Sequence, residues 1–265
     1  MITLLFYLAY VLVGALAGIL GGLLGISGGV ITIPCLVLLF KWIPVPHAIL
    51  MHLSIGTSLA AMIFNSLSST LSHQRKKNIS WQTFVSLSPG ILVGSFAGVI
   101  IARLLPSDLL EKIFAGFEVA VGIYFLFPSK KEPSEYHHPS FVIFSALGFF
   151  VGSLATFFGI GGGLITVPLL MALGMPIKKS VGTSAATGLT LSFLGTLFYM
   201  LLGPVGEPFT ATVGAVYLPA FIVISLATFL TAPIGTKLAH ELHSARLRQV
   251  FGGVIILAGI LMAFP

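Results

Sequence analysis

Two glycine clusters define the chemistry open to this chain. Gly25-Ile26-Ser27-Gly28-Gly29-Val30-Ile31-Thr32-Ile33-Pro34 returns 134 residues later as Gly159-Ile160-Gly161-Gly162-Gly163-Leu164-Ile165-Thr166-Val167-Pro168. Each cluster breaks an apolar run and opens a short apolar segment. If those segments are helices, their first amides have no intrahelical partner. The positive end of the helix dipole adds to them, and the combination favours an anion. Glycine also lets a ligand approach the backbone. The candidate ligand contacts are Ser27, Gly28, Gly29 and Thr32 in the first copy, and Gly161, Gly162, Gly163 and Thr166 in the second. The competing reading is close helix packing across small residues, which does not by itself require three consecutive glycines.

A second repeated element is Gly56-Thr57-Ser58, which recurs as Gly182-Thr183-Ser184. The hydroxyls of Thr57, Ser58, Thr183 and Ser184 fall inside apolar segments, where each requires a partner. A hydroxyl donates a hydrogen bond without a fixed charge, which suits an oxyanion that must later leave. The alternative is a back-bond to the carbonyl one turn earlier. Two ionisable groups, Glu118 and His52, also fall inside apolar segments. Such groups are functional candidates by default, here for proton coupling. Asn65 is a lone polar residue in the third segment, either interhelical glue or a ligand contact.

The chain carries no P-loop, Walker-type lysine or HExxH motif, so an enzyme is not expected, and neither is a cofactor. Its one cysteine, Cys35, allows no internal disulfide and no cysteine-based metal site. His137-His138 lies in a charged stretch and reads as solvated. Hydrophobic residues make up 57% and charged residues 8% of the 265 positions, with a mean hydropathy of +1.09. Soluble domains carry roughly a quarter charged residues, so a multi-pass membrane protein is expected. The net charge of +6 comes from short inter-segment loops, a pattern of membrane topology and not of a nucleic-acid partner.

The elements that must position these residues are ten apolar segments, at 2–24, 28–40, 47–72, 83–105, 109–127, 140–158, 162–173, 179–203, 210–237 and 245–264. The first reads as a retained helix because no basic n-region precedes it. About 20 apolar residues cross a bilayer core, so 28–40 and 162–173 are short: tilted helices, half-helices or re-entrant hairpins. The organisation is a first repeat over 1–127, a polar cytoplasmic linker over 128–139 and a second repeat over 140–265. Pro89 is set against Pro219, and Phe114-Ala115-Gly116 against Phe251-Gly252-Gly253; Glu118 then faces Ile255.

Charge orients the repeats. Five crossings per half put Arg75, Lys76, Lys77, Lys130, Lys131, Lys178, Lys179, Lys237, Arg246 and Arg248 on the cytoplasmic side. Only Lys41, Arg103 and Lys112 of the 13 basic residues are then outside. Four crossings would leave most of them outside, so five satisfy the positive-inside rule better. An odd number makes the two halves inverted repeats with both termini periplasmic, the arrangement of many alternating-access carriers. The fold class is therefore an all-α polytopic bundle of two inverted repeats with helices broken at the glycine motifs.

Taken together, the two glycine motifs and the two Gly-Thr-Ser tripeptides resemble the TauE/SafE family of sulfite and organosulfur-anion exporters, over essentially the whole chain. Ser27 departs from strict equivalence, since the second copy has Gly161 there. The resemblance implies a secondary carrier in the bacterial inner membrane whose partners are the lipid bilayer and a small anion such as sulfite or a sulfonate. No ATP-binding motif accompanies the segments, so a gradient or facilitated movement must drive it. The alternatives are a channel-like facilitator of a small anion and a non-transporting scaffold subunit. The anion, the direction, the coupling ion and the oligomeric state, a homodimer among the options, stay open.

Overall fold

The computed structural model describes residues 2–24, 28–127, 139–203, 209–241 and 244–263. Within the helices, the side chains of 2–3, 23–24, 236–241, 244–248 and 250–251 are not among those described. Ser27 and the linker residues 128–138 fall outside the described residues, as do His137 and His138. Among the described residues there are ten helices: α1 (Ile2–Leu24), α2 (Gly29–Lys41), α3 (His47–Arg75), α4 (Trp81–Leu104), α5 (Ser107–Leu126), α6 (Phe141–Phe157), α7 (Gly163–Ala172), α8 (Ile177–Leu202), α9 (Leu218–Glu241) and α10 (Ser244–Ala263). The protein is an all-α polytopic membrane protein. Five helices are long and apolar enough to cross a bilayer: α1, α3, α4, α8 and α9.

Nine of the ten apolar segments become helices with ends close to those expected. The exception is 210–237, whose first residues form a small hairpin, β1 (Thr212–Val213) against β2 (Val216–Tyr217). Gly214, at φ +56°, makes its turn, and α9 starts only at Leu218. The short segments are helices of 13 and 10 residues. Pro34 and Pro168 sit inside them, and each frees the carbonyl four residues earlier.

Helices pair across the chain, and the pairing survives exchange of its two halves. α1 packs on α9 while α6 packs on α4; α3 packs on α8, and α5 on α10. Glycines make the closest seams. Gly14 and Gly18 press on the backbone of Ile224 and Thr228, and Gly148 and Gly152 on that of Leu87 and Ile91. Between α5 and α10, Gly122 meets the Gly252 carbonyl and Gly259 meets the Ala115 carbonyl. That reciprocity reproduces the register of Ala115 with Gly252. Pro89 and Pro219 do not correspond. Pro89 lies well inside α4 and Pro219 is the second residue of α9. The register that relates Ser80 to Tyr217 puts Leu226 opposite Pro89, because the hairpin delays the start of α9.

The bundle has two chemically different ends. Gly182 abuts the Asn78 carbonyl, so Arg75-Lys76-Lys77 and Lys178-Lys179 share one end. At the other, Lys41 pairs with Glu111 at 2.9 Å, near the end of α4 that carries Arg103. The side chains of Lys237, Arg246 and Arg248, and residues Lys130 and Lys131, are outside what the structure describes.

Candidate functional site

The two breaks meet in the centre of the bundle. A β-carbon on Gly29 would lie 2.7 Å from the Gly159 carbonyl oxygen. Ser58 Oγ donates to that same oxygen at 3.5 Å. The breaks are nevertheless built differently. Gly28 has φ −63° whereas Gly162 is left-handed at φ +73°, a conformation that glycine adopts at no steric cost.

The side chains diverge in the same way. Thr32 Oγ1 donates to the Gly28 carbonyl at 3.0 Å. Its counterpart Thr166 is fully buried and its hydroxyl has no hydrogen-bond partner among the described residues. Ser58 has the Gly159 carbonyl at 3.5 Å, but Ser184, only 2% exposed, has no partner among the described residues. Over the first break the Met62 thioether fills the space, its Cε 2.9 Å from where a Gly29 β-carbon would sit. In the register of the Gly-Thr-Ser repeat, Met62 corresponds to Gly188. That residue lies against the second break, where a β-carbon would be 2.5 Å from the Gly161 carbonyl oxygen, and it lines a cavity there.

The result is a cavity of about 200 Å³. Gly161, Gly163, Ser184, Ala185 and Gly188 line it from the second half of the chain, and Gly21, Gly22, Ala232 and Pro233 from α1 and α9. Its remaining wall is the second half of α3: Asn65, Ser66, Ser68, Ser69, Ser72 and His73. The cavity runs along α3 toward the end that carries Arg75-Lys76-Lys77. Among the sequence candidates, it brings together Gly161, Gly163 and Ser184, with Gly162 and Thr166 alongside. A Gly162 β-carbon would lie 3.5 Å from Thr166 Oγ1.

The helix amides contribute less than the glycine motifs suggest. Ile165 and Thr166 both donate to the Gly162 carbonyl, at 3.0 and 2.8 Å, and Gly163 donates to Gly161 at 2.9 Å. Ile31 and Thr32 donate to Gly28 in the same way.

Thr57 and Thr183 lie elsewhere. Thr57 Oγ1 accepts from the Tyr217 N–H at 2.9 Å, and Thr183 Oγ1 accepts from the Ser80 N–H at 2.9 Å. Each holds the residue that leads into the fourth helix of the other half. Glu118 is fully buried with no partner for either carboxyl oxygen among the described residues, and its Cβ faces Gly259 on α10. His52 Nε2 is 3.0 Å from the Ala102 carbonyl, toward the far end of α4. Neither Glu118 nor His52 lines the cavity.

Sequence reasoning picked out Asn65 but missed the rest of the α3 wall. The signal was present: Asn65, Ser66, Ser69, Ser72 and His73 recur at helical three- and four-residue spacing, which puts them on one face.

Residues 10–262 match the family described as "Sulfite exporter TauE/SafE". A "Probable membrane transporter protein" of Haemophilus influenzae is 34% identical over 262 residues, covering 97% of this chain and 98% of the relative. The probable membrane transporter protein YdhB of Bacillus subtilis is 30% identical, covering 96% and 99%. One from Methanocaldococcus jannaschii is 27% identical, covering 95% and 93%. No solved structure matches the chain. Each of these relatives is named as a probable membrane transporter, and with the match running from the first helix to the last, the chain belongs to the sulfite exporter TauE/SafE family.

Proposed function

We propose that the chain is a secondary transporter that moves a small sulfur-containing oxyanion, such as sulfite or an organosulfonate, across the bacterial inner membrane by alternating access. The anion sits in the cavity at the second break. The observation that carries this reading is the pair of buried hydroxyls, Ser184 and Thr166, left without partners among the described residues at that break. Of their counterparts, Thr32 bonds the Gly28 carbonyl at 3.0 Å, and Ser58 makes only a long contact of 3.5 Å to the Gly159 carbonyl. Buried polar groups are nearly always hydrogen-bonded, and an orphan beside a cavity is explained by a ligand that completes it.

In this reading the two halves are inverted repeats, and Arg75-Lys76-Lys77 and Lys178-Lys179 mark the cytoplasmic end. The cavity then opens inward. The reciprocal state opens the path past the first break, which requires Met62 to leave Gly29. Thr57 and Thr183 act through the loops they hold, as positioning residues. Glu118, buried and unpartnered away from the cavity, is the coupling group if a proton gradient drives transport; His52 is the second candidate.

The test is flux of labelled sulfite, sulfate, thiosulfate and taurine into proteoliposomes, with and without a pH gradient. Saturable flux with counterflow exchange identifies a carrier. Flux that neither saturates nor exchanges identifies a channel-like facilitator, and no flux of any anion leaves a scaffold role.

A further inference from the structure

We infer that the cavity accepts its anion in the singly charged form, with Asn65 and Ser184 supplying the side-chain hydrogen bonds; this rests on the cavity being the anion site. The polar groups that line it from the described residues are neutral donors. They are the Asn65 amide and the hydroxyls of Ser66, Ser68, Ser69, Ser72 and Ser184, with His73 as the one titratable side chain. Arg75, Lys76, Lys77, Lys178 and Lys179 are exposed at the end of the bundle, and none of them is among the described residues that line the cavity.

Charge decides the substrate form in such a lining. The cost of taking an ion out of water rises with the square of its charge. The return from a fixed set of neutral hydrogen-bond donors rises only about in proportion to charge. A second negative charge is therefore under-compensated unless a cation faces it. A sulfonate headgroup carries one charge at any ordinary pH, and sulfite carries one when protonated to hydrogensulfite. Sulfate and fully ionised sulfite carry two. The four species are close in size, and a cavity of about 200 Å³ has no steric means of separating them. Selection then falls to charge, and the deep pair Asn65 and Ser184, both over 90% buried, are where a desolvated headgroup would be held.

The test is calorimetry on the purified, full-length protein with three probes. Methanesulfonate is a fixed monoanion, sulfate a fixed dianion, and sulfite is titrated through its second ionisation. Methanesulfonate should bind, and sulfate should bind at least about tenfold more weakly. Apparent sulfite affinity should fall by about tenfold per pH unit above its second ionisation. Asn65→Ala and Ser184→Ala should weaken methanesulfonate binding in protein that stays monodisperse. Because methanesulfonate does not ionise, any pH dependence it shows belongs to the protein, and His73→Gln removes the part due to His73. Sulfate binding as tightly as methanesulfonate, or sulfite affinity that ignores pH, overturns the charge selection while leaving the anion site in place. Failure of all three probes to bind overturns the site reading and the charge selection together.

Discussion

Thr183 accepts a hydrogen bond from the backbone N–H of Ser80 at 2.9 Å, and through it α8 fixes the loop at which α4 begins. Thr57 does the same for Tyr217 and α9. Thr183→Val and Thr57→Val each keep the side-chain shape and remove the acceptor. The stranded amide should cost about 1–3 kcal/mol of stability. Thermal unfolding in detergent should show the loss, with anion affinity in the folded fraction unchanged. A large loss of affinity at unchanged melting temperature would return both threonines to the ligand.

Ser184→Ala should behave in the opposite way. Its hydroxyl is buried without a partner among the described residues, so removing it relieves a desolvation penalty. The melting temperature without anion should hold or rise. Anion affinity should fall by roughly ten- to a hundredfold, the worth of a hydrogen bond to a charged group at about 1.5–3 kcal/mol. Calorimetry and thermal shift on the same preparation read both quantities.

Gly162→Ala and Gly28→Ala should be unequal. Gly162 is left-handed and its β-carbon would strike Leu191. Alanine there pays roughly 1–2 kcal/mol for the backbone alone. Gly28, at negative φ, carries no such backbone strain, and its β-carbon would crowd Ala17, at 2.9 Å from its β-carbon and 3.0 Å from its carbonyl oxygen. The melting temperature of the Gly162 variant should be the lower of the two; equal values would argue against distinct geometries at the breaks.

This inequality separates what the sequence made legible from what it concealed. The glycine motifs read as equivalent because their letters nearly are, and nine of the ten segments followed from apolar length, whereas the pairing of the helices is visible only in the fold. What distinguishes the breaks is the residue facing each from a neighbouring helix, Met62 over one and Gly188 over the other. That difference lies one turn beyond the matching Gly-Thr-Ser tripeptides, where the halves no longer look alike. Thr57 and Thr183 have a second role that the sequence concealed for a related reason. A buried hydroxyl declares that it needs a partner, and only the fold shows that a backbone amide from the other half provides one. Residues 210–217 read as the start of a membrane segment because they are mostly apolar, with no sign that Gly214 turns them back.

For Glu118→Gln we expect uphill transport driven by a pH gradient to disappear while counterflow exchange persists. The carboxyl lies away from the cavity, so binding should not change. Flux in proteoliposomes decides it: gradient-driven uptake at the wild-type level would remove Glu118 from coupling.

Sidedness can be read with single cysteines on a Cys35→Ala background. Positions 76 and 178 should react only from the cytoplasmic side, and position 41 only from the periplasmic side. Position 206, outside the described residues, should also label from the periplasm. Labelling of 76 and 178 from opposite sides would contradict the shared end of the bundle on which the inward-opening cavity depends.

The exchange of helices between halves has a consequence for biogenesis. Among the described residues, α1 sets Gly14 and Gly18 against α9, and α4 packs its glycines against α6. A ribosome therefore delivers α1 to the membrane long before its partner exists. Until then the face that carries Gly14 and Gly18 lies against lipid or an insertion chaperone. Neither half encloses a complete seam, so a fragment ending in the linker should be an open, protease-sensitive intermediate. Two fragments divided at the linker and made together can still interlock, because the contacts that close the bundle were never within one half.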